Sequence, residues 1–207
     1  MDLQNSFIVP ADIDTAWKTL LDVESIAPCM PGATLTSFTG EEFTASVKIK
    51  LGPVTQNFNG EGSFTKRDEA THTAVITASG KEIRGGGSAS AIITATLVSE
   101  GPNSTRADVL TVLTITGKVA QFGKGVITDV SKKLIDQFAT NLQSVIAAKS
   151  AAASAAPGEV VAAPVIQAAD SIDLLGAAGA PVLKRAIPVV IGVVVIVGII
   201  VYFIVNK

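Results

Sequence analysis

The chain has 207 residues, a formal net charge of −2, and 48% apolar but only 16% charged residues. That length suits one domain with extensions or two small domains; the composition excludes a wholly disordered chain, and the charge leaves no basic excess for nucleic acid. A single cysteine, Cys29, and a single histidine, His72, exclude an internal disulfide and a multi-cysteine metal site, and a chain so poor in catalytic side chains is not expected to be an enzyme.

The first predicted strand covers residues 3–9. Pro10 and Asp12 then open a helix, with Asp12 as N-cap, Asp14 in the positive first turn, and Ala16, Trp17, Leu20 and Leu21 as the buried stripe. A short second turn near residues 23–27 ends at Pro28, Pro31 and Gly32. Residues 42–51 alternate cleanly, with Phe43, Ala45, Val47, Ile49 and Leu51 on one face and Thr44, Ser46, Lys48 and Lys50 on the other, the pattern of an antiparallel strand with one wet face. Further strands are predicted over 54–66, 72–79, 88–99 and 105–116, separated by turns at Gly52-Pro53, Asp68-Glu69, Gly80-Lys81 and Gly101-Pro102-Asn103. A long amphipathic helix is predicted over 119–148, where Gly123 and Gly125 read as places of close approach.

The order is strand, helices, about six strands, long helix. The economical arrangement is α+β, a strongly curved antiparallel sheet wrapped on the long helix. Many inward positions are small (Ala45, Gly60, Ala78, Ala89 and Ala91 among them), so one helix is not expected to fill the space beneath the sheet. The reading expects an apolar cavity there. A fully packed core is the alternative. The side chains expected to line the cavity are Phe43, Val47, Ile49, Phe58, Phe64, Ile76 and Ile93 from the sheet, Phe122, Val126, Val130 and Leu134 from the helix, and Met30 near the mouth.

Beyond this domain (1–148), residues 149–185 form an Ala/Pro-rich linker, interrupted by Pro157, Pro164 and Pro181. As a flexible coil it spans roughly 30 Å. Ser171, Ile172, Asp173, Leu174 and Leu175 form an apolar island in it, either a docking motif or a plain apolar patch. Residues 186–205 are uncharged throughout, and a helix of that length spans roughly 30 Å, the thickness of a bilayer core. They read as a single-pass C-terminal membrane anchor, a transmembrane helix. Lys184 and Arg185 before the span place the domain on the cytoplasmic side, and residues 1–9 lack the features of a signal peptide.

Two other groups invite chemistry. A nucleophilic Cys29 would need His72 as its base, and nothing in the sequence brings them together. Arg84-Gly85-Gly86-Gly87-Ser88 hints at phosphate binding, but it lacks the P-loop lysine and precedes a strand pattern, so it reads as a bulge or wide turn.

The layout resembles the helix-grip fold of START and Bet v 1-like domains (the SRPBCC superfamily), and more narrowly the CoxG family of carbon monoxide dehydrogenase subunits. The resemblance rests on Phe7-Ile8-Val9-Pro10 before Ala16-Trp17, on Pro31-Gly32, on Leu51-Gly52-Pro53-Val54 with Gly60, on the run from Thr116 to Ile127, and on Phe138-Ala139-Thr140-Asn141-Leu142. It implies an accessory role beside a molybdenum-containing carbon monoxide dehydrogenase. Tail, tether and pocket together point to a carrier of a lipophilic ligand from the bilayer, an isoprenoid quinone such as menaquinone or ubiquinone, or another lipid. The alternative is a plain membrane-recruitment anchor with no ligand role. A cyclase or hydrolase of the kind sometimes built on this fold would lack acid–base residues here.

Overall fold

A computed structural model describes residues 1–51 and 54–154. Strand β1 (Asp2–Val9) leads to helix α1 (Ile13–Leu21), helix α2 (Val23–Ile26) and a 3-10 turn (Ala27–Cys29). Six strands follow: β2 (Ala33–Phe38), β3 (Glu42–Leu51), β4 (Val54–Asp68), β5 (Thr73–Glu82), β6 (Ser88–Gly101) and β7 (Ser104–Ile115). A second 3-10 turn (Val119–Phe122) precedes helix α3 (Gly123–Ser154). The strands form one antiparallel sheet in the order β1-β7-β6-β5-β4-β3-β2.

Local chemistry explains the elements. Asp12 caps α1 by accepting hydrogen bonds from the amides of Asp14 (3.1 Å) and Thr15 (2.9 Å). Asp22 caps α2 in the same way through Ser25 N, and Lys149 near the end of α3 reaches back to Asp22 Oδ2 at 3.0 Å. The buried hydroxyl of Thr105 donates to Ala11 O (2.9 Å) and pins the start of β7 to the segment after β1. Asn141, also buried, donates from Nδ2 to Cys29 O (3.0 Å) and ties α3 to the first 3-10 turn.

Three expectations are corrected. Gly80 and Lys81 are not a turn but lie inside β5, where Gly80 pairs with Gly60 and Ala89; the chain reverses at residues 83–87 instead. The long helix does not begin at Val119, because Gly123 at φ +78° breaks the path and leaves a 3-10 turn ahead of it; it then runs past Ala148 to Ser154. Nothing packs closely against Gly123 or Gly125, where an added Cβ would meet no atom within 4 Å. Gly123 is required for its positive φ, not for space. The expected span at 186–205 and most of the expected linker lie outside the described residues, and no helix among the described residues is long and apolar enough to cross a membrane.

The core is divided. One cluster gathers Val9, Trp17, Cys29, Leu97, Phe138 and Leu142 where α1, the first 3-10 turn and the C-terminal half of α3 meet the sheet. Within it Phe7 meets Phe138 edge-on at 5.6 Å. A smaller cluster centres on Phe58 and Val119 beneath the N-terminal end of α3. The helix makes its close approaches to β1, α2 and the first 3-10 turn, and stands away from the middle strands.

Candidate functional site

The gap between the two clusters is a cavity of about 450 Å³, within the ordinary range for a small-molecule site. The inner face of the sheet supplies one wall and α3 the other. All of the side chains expected from the sequence line it except two, Phe64 and Ile76. Phe64 packs instead on the first core cluster, with its ring under the Arg67 guanidinium at 4.0 Å. Ile76, directly opposite Phe64 in the ladder, is absent from the lining with it. Phe64 stands where the cluster around Trp17 and Phe138 has already filled the groove.

Small residues set the depth. Gly60 and Gly80 face each other across β4 and β5, as do Ala78 and Ala91 across β5 and β6, and all four line the cavity. A Cβ on Gly60 would strike the Ser79 carbonyl, so the close strand approach there demands glycine. The exposed Glu61, Ser79 and Ser90 alternate with the inward Gly60, Gly80 and Ala89, so strand alternation turns their side chains to the outer face. The polar side chains left to the interior wall are Thr111 of β7 and Ser131 of α3; Asn5 Nδ2 donates to Ser131 Oγ at 3.0 Å.

Sequence reasoning missed much of the far wall. Leu3, Val109, Thr111, Leu113 and Ile115 line the cavity from β1 and β7, and Ile127 and Ile135 from α3. The alternation Val109, Thr111, Leu113, Ile115 was the available signal. It was obscured because Leu110 and Val112 between them are also apolar, though 39% and 43% exposed.

The other candidate chemistry does not assemble. Cys29 is fully buried, with Sγ 4.0 Å from Ser25 O, and burial pushes its thiol above the ordinary range, against thiolate formation. His72 lies edge-on to Trp17 (5.6 Å), with Nε2 3.5 Å from Asp14 Oδ1 rather than beside a cysteine. The glycine-rich turn after β5 is occupied by the protein's own carboxylate: Glu82 Oε2 accepts the amides of Arg84 and Gly86, each at 2.8 Å. These bonds hold the Glu82 carboxyl below its ordinary range and take the amides an incoming anion would need. Among the described residues no group of three or more His, Cys, Asp or Glu side chains is placed to hold a metal ion.

A seven-stranded curved sheet gripping one long helix around an apolar hollow is the helix-grip fold of START and Bet v 1-like domains. Solved structures agree on the fold. A conserved protein from Geobacillus kaustophilus is 20% identical, with 71% of this chain and 95% of that chain covered at a TM-score of 0.64. A protein from Thermus thermophilus is 12% identical, over 72% and 99%, at 0.54. A truncated norcoclaurine synthase from Thalictrum flavum is 13% identical, over 70% and 92%, at 0.50. No curated protein matches the chain significantly. The family model for CoxG, a carbon monoxide dehydrogenase subunit, matches residues 6–147, and the chain belongs to the CoxG family.

Proposed function

We propose that the protein is a membrane-tethered accessory protein of a molybdenum carbon monoxide dehydrogenase. On this reading the cavity takes up a respiratory quinone, menaquinone or ubiquinone, and shuttles it between membrane and dehydrogenase. The observation that carries the reading is the cavity itself, about 450 Å³ with almost uninterrupted aliphatic and aromatic walls. An apolar hollow of that size favours a lipophilic occupant, since burial contributes about 25 cal/mol per Å² before ordering costs. Family membership supports the partner, because oxidation of carbon monoxide releases electrons that must reach an acceptor. The uncharged run at 186–205 supports the tether. Such a division of labour leaves redox chemistry to the dehydrogenase, consistent with a buried cysteine and a histidine engaged elsewhere.

The test is ligand content. The full chain and a Val126→Asp variant are purified from a quinone-producing host, denatured, and their organic extracts analysed by mass spectrometry. Near-stoichiometric quinone in the wild type, lost from a variant whose circular dichroism is unchanged, is the expected result. Equal quinone in both would mark it as co-purifying membrane lipid. An empty wild type that also fails to take up added quinone would leave the recruitment anchor as the better reading.

A further inference from the structure

Charge is distributed unevenly along the strands. Two connections, β5 to β6 and β7 to α3, meet at one end of the sheet, beside the first half of β4. Ile83 N donates to Asn57 O in β4 (2.9 Å), Lys118 N donates to Gly86 O (2.9 Å), and a Cβ on Gly117 would fall 2.6 Å from Gly87 Cα, so the two connections are held to each other and to β4. In the sequence that builds this end (residues 45–60, 81–88 and 113–126) the only carboxylate is Glu82. It is buried and turned to the amides of its own turn. Lys48, Lys81, Arg84, Lys118 and Lys124 are exposed there.

The opposite end is built differently. Several of its basic side chains are neutralised, Lys66 by Asp68 (3.0 Å), Arg106 by Glu100 (2.7 Å) and Asp108 (3.0 Å), and Lys149 by Asp22 (3.0 Å), while Arg67 lies over the Phe64 ring and donates to Gly40 O. None of the ion pairs among the described residues engages Lys48, Lys81, Lys118 or Lys124. Beside Arg84, at the tip of the β5–β6 turn, Ile83 is 55% exposed, more than any other large apolar side chain described. The cavity-lining Ile49, Val119 and Phe122 belong to the same end.

We propose that this end is a docking surface for an anionic phospholipid bilayer, with Ile83 entering the interface and the surrounding lysines and Arg84 engaging lipid phosphates. Unpaired lysines around one apolar tip fit a lipid surface, which attracts basic clusters, better than a protein interface, where lysine is depleted. The proposal deepens the carrier reading by naming where the cavity meets the membrane, but its test needs no ligand.

Hydrogen–deuterium exchange is measured on the full chain with phosphatidylcholine vesicles and with vesicles that also contain phosphatidylglycerol. Peptides covering 81–88 and 116–126 are expected to gain protection only with phosphatidylglycerol, and to lose it at high salt, where screening is within a few ångströms. A Lys81→Glu/Lys118→Glu variant and a separate Ile83→Ser variant, each folded by circular dichroism, are expected to lose that protection. Equal exchange with both vesicle types would overturn the proposal. So would protection that arises only when purified dehydrogenase is added without vesicles, since the surface would then be a protein interface. Because exchange is read without quinone, failure here leaves the mass-spectrometric result standing, and failure of that result leaves this one standing.

Discussion

The ring of Phe43 lies over Gly62, its direct partner across β3 and β4, with Cε2 and Cε1 2.8 and 2.9 Å from where a Cβ on Gly62 would stand. The glycine is therefore a seat for the ring, and the ring is part of the cavity wall. Gly62→Ala forces Phe43 off that seat. Overpacking of this kind costs about 1–3 kcal/mol. The expected outcome is a lower denaturant midpoint together with altered ligand retention. Phe43→Ala/Gly62→Ala should recover part of the stability lost in Gly62→Ala; no recovery would show that the ring is not what the new methyl group meets.

Thr111 and Ser131 are the hydroxyls on otherwise apolar walls, and Ser131 is oriented by Asn5. A quinone entering this cavity would find its carbonyl partners there. Thr111→Val keeps shape and removes the donor, and Ser131→Ala does the same at nearly the same volume. Each is expected to weaken quinone retention about tenfold, the worth of one hydrogen bond of about 1 kcal/mol or slightly more. Titration with a fluorescent or tritiated quinone analogue reads the change; unchanged affinity in both variants would move the head group elsewhere.

Asn141 falls within one of the motifs through which the sequence resembles its family, yet its side chain does architectural work. Buried Nδ2 donates to Cys29 O, while Oδ1 accepts from Gln137 Nε2 at 3.1 Å. Asn141→Leu is expected to cost about 1–3 kcal/mol, because a buried carbonyl loses its donor. Urea unfolding should show a lower midpoint at unchanged slope. A loss of dehydrogenase recruitment without any loss of stability would contradict this assignment.

How much of this was legible follows from burial. The strand over Glu42–Leu51 was read with its correct bounds because one face is apolar and the other wet. Strand β2 was not delineated, since Ala33–Phe38 is short, has no buried residue, lies at the sheet edge, and carries a register shift between Leu35 and Ser37. Alternation placed Phe64 and Ile76 near the right wall but says nothing of position along the strand. That position decides whether a residue meets the cavity or the packed cluster around Trp17. The sheet and its helix could thus be read from periodicity, while the cavity's far wall on β7 was hidden because the outward Leu110 and Val112 are apolar as well and blur the alternation.

Glu82 gives a test of the cationic end that reads stability alone. Its carboxylate lies below the ordinary glutamate value of 4.5 because it accepts the Gly86 and Arg84 amides, against the opposing effect of burial. A carboxyl whose folded-state value is depressed binds its proton more readily when unfolded. The stability it contributes is therefore present above 4.5 and lost as pH falls through the depressed value. Glu82→Gln preserves the shape of the turn but removes the charge. Wild type is expected to exceed the variant in denaturant midpoint at neutral pH, and the difference should shrink as acid protonates Glu82. A difference constant from neutral pH to strong acid would mean that the glutamine acts through packing rather than charge, and the account of how this turn is held would fail.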